Sequence, residues 1–221
     1  MAHAGQTLQN PASGERITFR ATAADTGGEL VAIDLELPPG RRVPGGLHIH
    51  PLQEERFEVA EGTMRFRVGR GRVTAGPGDV VVVPAGVPHD FANAGDADAV
   101  VHVEVRPALQ MERLFETAVR LAEQGRTMRG GIPRPLDLAL FMREFENEVQ
   151  AALPPRWMQR LALAPLAWLA GQRGGSSPRV RGRVAETAGV GCSAIHTPIR
   201  REAPWETRAS RFRVPRSTSS D

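Results

Sequence analysis

Cysteine, tyrosine and lysine are nearly or wholly missing from this sequence. Among its 221 residues there are one cysteine, no tyrosine and no lysine, so all 28 basic residues are arginine. The single cysteine, Cys192, excludes an intrachain disulfide, as is typical of proteins in a reducing compartment. We attribute the use of arginine alone to GC-rich coding, and the base composition of the gene tests this interpretation.

Long apolar runs are also missing. The longest stretch, residues 161–170, contains Pro165 and falls short of the roughly 20 residues that cross a membrane. Residues 1–6 carry neither the positive charge nor the apolar run of a secretory signal. We therefore expect a cytoplasmic protein that has no membrane partner.

Positive charge is concentrated at one end of the chain. Residues 171–221 hold ten arginines and four acidic residues, whereas the first 170 residues hold 18 arginines and 21 acidic residues. The sequence pI of about 10.6 therefore reflects the carboxyl-terminal part. The remainder carries no basic stripe of the kind that binds nucleic acid, so we expect no nucleic-acid partner.

Short segments of alternating apolar and polar residues occupy most of the first half. The clearest is residues 30–37, where Val31, Ile33, Leu35 and Leu37 alternate with smaller or charged residues. About nine such segments, separated by Gly/Pro/Asp turns, are typical of a sandwich or barrel. The alternation predicts a mainly β jelly roll whose sheets each bury one face.

The apolar period changes after Pro107. Apolar residues recur at helical spacing in residues 111–122 and 138–149, and a third apolar segment covers residues 156–169. Short helices are marginal alone, so we expect them to dock on the barrel or on a second subunit, which makes a homodimer a candidate assembly. The third segment lacks the basic face of a membrane-surface helix, and we favour core packing for it.

Composition divides the chain into four parts. We predict a flexible lead-in at residues 1–13, a β-barrel at 14–107, a helical extension at 108–170 and a tail at 171–221. The tail is rich in Arg, Ser and Pro without an apolar period, so it should be disordered. It is either native or an out-of-frame extension, and comparing the three reading frames of the gene would decide.

Two histidines and a carboxylate form the first candidate site. Side chains alternate faces along a strand at about 3.3 Å per residue, so His48 and His50 share a face and can close on one ion. Glu55 shares the apolar face of the next strand with Phe57 and Val59. A charge there is costly unless it is paired or bound to metal; the neighbouring Glu54 is the competing ligand, and the strand register favours Glu55.

A third imidazole comes from His89, which follows the turn Pro84-Ala85-Gly86-Val87-Pro88. Three imidazoles and one carboxylate suit a divalent transition metal, and Fe, Mn, Ni, Cu, Co and Zn all tolerate such a set. The alternative is strand histidines that simply have hydrogen-bond partners. The catalytic residues themselves are not identified by the sequence.

The two segments resemble the two motifs of the cupin superfamily. The first motif is similar at His48, His50, Glu55 and Gly62, and the second at Gly78, Pro84, Gly86, His89 and Asn93. The resemblance covers roughly residues 14–107. One position departs from it, because Arg42 stands where the family usually opens its first motif with glycine.

The resemblance implies a small type-2 cupin barrel that acts on or binds a small molecule. We expect a metal-dependent, dioxygenase-like oxidoreductase acting on a small organic molecule. This expectation rests on analogy with the fold alone. The alternatives are a non-catalytic binding or sensing module and a structural barrel with vestigial ligands. Four residues are candidates either for lining a cavity above the metal or for plain barrel core: Phe57, Met64, Phe66 and Phe91.

Overall fold

The computed structural model describes residues 1–128 and 130–152, Ala164, Pro165 and Trp168, and the backbone of Arg211–Phe212. The strands in this part of the chain are β1 (Thr7–Gln9), β2 (Arg16–Ala21), β3 (Val31–Leu37), β4 (His48–Ile49), β5 (Glu54–Glu61), β6 (Met64–Val68), β7 (Gly71–Ala75), β8 (Val80–Val83), β9 (His89–Asn93), β10 (Ala99–Arg106), β11 (Gln150–Ala151) and β12 (Arg211–Phe212). The helices are α1 (Met111–Glu123) and α2 (Pro135–Glu144).

The strands form two sheets. One has seven strands in the order β1-β2-β3-β10-β5-β8-β12, and the other has five in the order β11-β4-β9-β6-β7. Every pairing is antiparallel except that of β12 with β8. The predicted fold class, a mainly β jelly roll followed by short helices, is confirmed.

The core lies where the alternating side chains of both sheets meet. In β3 every second residue is buried, and the residues between are partly exposed. The same alternation in β10 buries Val101, Val103 and Val105. Because β3 and β10 are paired along their whole length, these rows form a continuous apolar surface, and its burial is the main stabilising contribution to the fold.

A tight turn at Gly62 joins β5 to β6. Gly62 has a φ of +81°, and a Cβ there would lie 2.9 Å from the Cα of Ala99. Only glycine fits both the backbone conformation and the close approach. This turn carries the chain from β5, which holds Glu55 in the seven-stranded sheet, to β6 in the five-stranded sheet.

The described helices dock on the barrel. Apolar side chains from both helices and from the residue after α2 join the barrel's core: Met111, Leu114, Leu121, Phe141 and Phe145. The apolar pattern at residues 138–149 extends past the helix, since α2 ends at Glu144 and Phe145 caps it. The chain turns there because the backbone N–H groups of Glu148 and Val149 both donate to the carbonyl of Phe145.

The structure describes the predicted amino-terminal lead-in but little of the predicted carboxyl-terminal segments. Part of the predicted lead-in, residues 1–13, forms β1, which pairs with β2, because the edge of the large sheet offers its backbone groups to a neighbouring strand. The predicted segment at 156–169 and the predicted disordered tail lie outside the described residues, apart from Ala164, Pro165, Trp168 and β12. None of the described helices is long and apolar enough to cross a membrane.

Candidate metal centre

The two sheets face each other across a cluster of three histidines and one glutamate. His48 on β4 is the register partner of His89 on β9, and His50 follows β4 immediately. Glu55 lies on β5 in the opposite sheet, where it pairs with Val83. The pairing of β4 with β9 brings His89, which is distant along the chain, to the three residues of the first segment.

The potential ligand atoms converge on one point. Nε2 of His48 lies 3.1 Å from Nε2 of His50, and Nε2 of His50 lies 3.4 Å from Oε1 of Glu55. Nε2 of His89 lies 2.7 Å from Oε2 of Glu55. All four ligand atoms lie within 4.8 Å of one another.

The other ring nitrogen of each histidine faces a backbone carbonyl. Nδ1 of His48 lies 2.8 Å from the carbonyl oxygen of Gly46, and Nδ1 of His89 lies 3.1 Å from that of Val87. Nδ1 of His50 contacts the carbonyl oxygen of Glu148. A carbonyl only accepts, so each Nδ1 must carry a proton, and each neutral ring then presents a bare Nε2 lone pair to the cluster.

When all three rings are neutral, four hydrogen-bond acceptor atoms therefore converge, and none of the four side chains offers a donor to the others. Oε2 of Glu55 and Nε2 of His89 are buried and have no hydrogen-bond partner of acceptable geometry among the described residues. Converging lone pairs repel each other unless a cation lies between them. Imidazole nitrogens with protonated outer nitrogens, plus one carboxylate, form the donor set of a transition-metal site, so these residues fit a divalent ion.

Burial and charge shape the ionisation of the cluster. His50, Glu55 and His89 are 6%, 6% and 1% exposed, and His48 is the partly exposed member. Burial, reinforced by His89 and His50, lowers the pKa of His48 to about 3. Burial opposes the charge of Glu55, but the surrounding imidazoles outweigh it and lower the pKa of Glu55 to about 2.

His89 behaves in the opposite way. Burial works against its protonation, but the adjacent Glu55 carboxylate outweighs burial and raises the pKa of His89. Without a metal, the Glu55 carboxylate therefore favours a proton on Nε2 of His89, which lies 2.7 Å from its Oε2. A metal ion would have to replace that proton, because only the neutral ring coordinates.

An apolar wall adjoins the cluster. The ring centroid of Phe57 lies 6.4 Å from that of His89 and 5.0 Å from that of Phe91, and Phe57 also lies 5.2 Å from Phe66. These rings and Met64 are at most 5% exposed and belong to the barrel core. Phe57 is the phenylalanine whose ring is recorded beside a cluster imidazole, and a cavity-lining role for the four stays a prediction.

The structure also separates the competing carboxylates. Glu54 is exposed and Glu55 is buried, because adjacent strand residues point to opposite faces. Sequence reasoning missed Glu148, whose carbonyl faces His50. No signal in the sequence could have revealed that contact, since a backbone carbonyl is common to every residue and these two positions are 98 apart.

Solved structures with similar coordinates include KdgF from a Halomonas species, at 18% identity over 48% of this chain and 93% of that chain, with a TM-score of 0.42. A predicted oxalate decarboxylase from Thermotoga maritima is 21% identical over 47% of this chain and 92% of that one, with a TM-score of 0.41. A sugar phosphate isomerase from Silicibacter pomeroyi is 28% identical over 43% of this chain and 60% of that chain, with a TM-score of 0.37. These scores carry no argument about reaction or substrate.

No curated protein matches this sequence. The family model described as Cupin domain matches residues 34–105. The matched residues include the whole cluster at His48, His50, Glu55 and His89 and most of the two facing sheets. Residues 34–105 are therefore a cupin domain.

Proposed function

We propose that this protein is a metal-dependent enzyme that acts on a small organic molecule inside the cupin barrel. His48, His50, Glu55 and His89 would hold one divalent transition metal. The observation that carries the proposal is the convergence of four acceptor atoms within 4.8 Å, with each histidine's outer nitrogen already satisfied by a carbonyl.

A metal held there would supply a Lewis acid or redox centre with positions open for a substrate or dioxygen. The chain's own residues would orient the metal ligands and keep water away from one side of the site. The three carbonyl contacts hold the imidazole planes, and the Phe57 side of the cluster excludes water. A small molecule would approach beside His48, the least buried of the four.

Among the reactions available to such a centre, we propose dioxygenase-like oxidation. The direct test is oxygen uptake by the iron-loaded protein with a panel of small organic acids, phenols and thiols. We expect substrate-dependent oxygen consumption that His50→Ala abolishes while the circular dichroism spectrum is retained. Turnover that proceeds equally without oxygen would reject dioxygenation and leave an isomerase, a lyase or a decarboxylase.

A non-catalytic sensing module is the second candidate. The observation that favours it is the contact between Nδ1 of His50 and the carbonyl of Glu148, since it joins the centre to the segment after α2. A sensor would bind a small molecule without forming product and would change the hydrogen exchange of α2. Product formation at the metal-loaded site would reject this candidate.

A further inference from the structure

The strand β4, which carries His48 and is followed directly by His50, is covered by a segment from outside the cupin domain. Gln150 pairs with Ile49 and Ala151 with His48, so β11 is the edge strand beside β4. The backbone N–H of Ala152 continues the contact to the carbonyl of Leu47 at 3.4 Å. The segment that makes these contacts lies well past residue 105, where the matched domain ends.

Glu148 holds this segment against the centre at two points. Its carbonyl accepts from Nδ1 of His50, and Oε1 of its side chain accepts from the backbone N–H of Gln110 at 3.2 Å. The Gln110 N–H lies at the start of α1, where the first helical donors have no partner within the helix. The side chain therefore ties the histidine-facing carbonyl to a fixed element of the fold.

The environment of Glu148 is unusual for a carboxylate. The residue is only 2% exposed, and its second oxygen, Oε2, is buried without a hydrogen-bond partner among the described residues. Burying such a group is unfavourable, and an apolar residue would pack here at lower cost. Phe145, which is fully buried, anchors the same turn by accepting from the N–H of Glu148 at 3.1 Å.

We propose that Glu148 is a positioning residue of the metal centre and that residues 145–151 are part of the site. The inference rests on the proposed metal function. The Glu148 carbonyl fixes the Nδ1–H tautomer and ring plane of His50, and the Glu148 carboxylate fixes that carbonyl. Outer contacts of this kind typically contribute about 10–100-fold to metal affinity.

The test compares three variants of the full-length protein. Glu148→Ala should weaken binding of Co²⁺ by about tenfold or more and alter the visible spectrum of the bound ion. Glu148→Gln keeps an oxygen acceptor for the Gln110 N–H and should restore both. Glu144→Ala is the control, because it removes a carboxylate paired with Arg113 on the same extension without touching the His50 contact, so affinity should stay unchanged.

A second measurement does not need metal. Long-range ¹H–¹⁵N spectra of the metal-free protein should place the His50 proton on Nδ1 in the wild type and in Glu144→Ala, and show a mixed tautomer in Glu148→Ala. An Nε2 proton in the wild type overturns the inference even where Glu148→Ala fails to fold. So does a folded Glu148→Ala with wild-type affinity, or an equal loss in Glu144→Ala.

The two proposals fail in different ways. If the wild type binds no Co²⁺, the proposed function fails, while the tautomer of His50 still decides the role of Glu148. If the wild type binds metal and Glu148→Ala leaves affinity, spectrum and tautomer unchanged, only the positioning role is rejected.

Discussion

His48 and His89 are direct partners in the pairing of β4 with β9, and their ring centroids lie 4.3 Å apart. Two imidazoles from separate segments are thus fixed by backbone hydrogen bonding. The site is consequently as rigid as the sheet that carries it. Each ligand's contribution can be measured without a large rearrangement of the others.

Replacing His48 by Gln should weaken binding of a divalent metal by more than about 100-fold, because removing even an outer partner of a ligand typically weakens binding about 10–100-fold. Competition with a chromophoric chelator measures this. His102→Gln is the matched control, since His102 lies on a barrel strand and pairs with Asp34 outside the cluster. Equal loss of affinity in both variants would contradict the assignment.

Glu55→Gln and Glu54→Gln form a second matched pair. Both remove one carboxylate charge from β5, but only Glu55 is buried in the cluster. We expect Glu55→Gln to lose tight metal binding and Glu54→Gln to keep it, as measured by equilibrium dialysis. Retained binding in Glu55→Gln would show that the carboxylate is not a ligand.

Acid should destabilise the metal-free protein. The pKa of His48 falls from its ordinary 6.5 to about 3 in the folded state, so between these values the unfolded chain binds the extra proton and His48 removes stability as pH falls. Burial raises the pKa of Glu15 from 4.5 to about 7, so Glu15 adds stability as pH falls from 7 to 4.5 and opposes the effect of His48 there. Glu55, whose pKa is lowered from 4.5 to about 2, adds its own loss below pH 4.5. Urea midpoints measured from pH 7 to 3 should therefore fall mainly below about pH 4.5.

The same ionisation predicts the pH dependence of metal binding. His89 has a raised pKa, so the metal must displace its proton and affinity should increase as pH rises through that pKa. Calorimetry in two buffers with different ionisation enthalpies should show proton release on metal binding at pH values below that pKa. His89→Gln should remove this release, and an undiminished release would mean that another group supplies the proton.

Gly62→Ala should cost at least about 2 kcal/mol of unfolding free energy, because the added Cβ meets the backbone of Ala99 and the positive φ strains any other residue. Gly76→Ala is the control. Gly76 has no atom within 4 Å of an added Cβ and should change stability by less than about 0.5 kcal/mol. Equal effects would contradict the turn geometry.

Much of the barrel could be predicted from residue alternation. Every second residue of β3 is buried, and the same rule separates Glu55 from Glu54 on β5. The rule works because strand periodicity is local and each sheet has one covered face. The clustering of His89 with His48 depends instead on a pairing between distant strands. Residue alternation does not predict that pairing, and the spacing of the two motifs predicted it.

Other features depend on contacts that leave no pattern in the sequence. The end of α2 at Glu144 was missed because apolar residues continue at helical spacing beyond it. β11 has two residues, which are too few for a period to show. The homodimer, the cytoplasmic location and the cavity-lining residues stay predictions, since none of the described contacts bears on them.

Metal stoichiometry of the full-length protein is the most direct test of the central claim. After chelation and reconstitution with excess Fe²⁺, Mn²⁺ or Zn²⁺, elemental analysis should give one tightly bound ion per chain. The double variant His50→Ala/Glu55→Ala should bind none while keeping its β-rich circular dichroism spectrum. A wild type that stays metal-free, or a folded double variant that binds as much metal as the wild type, would contradict the account.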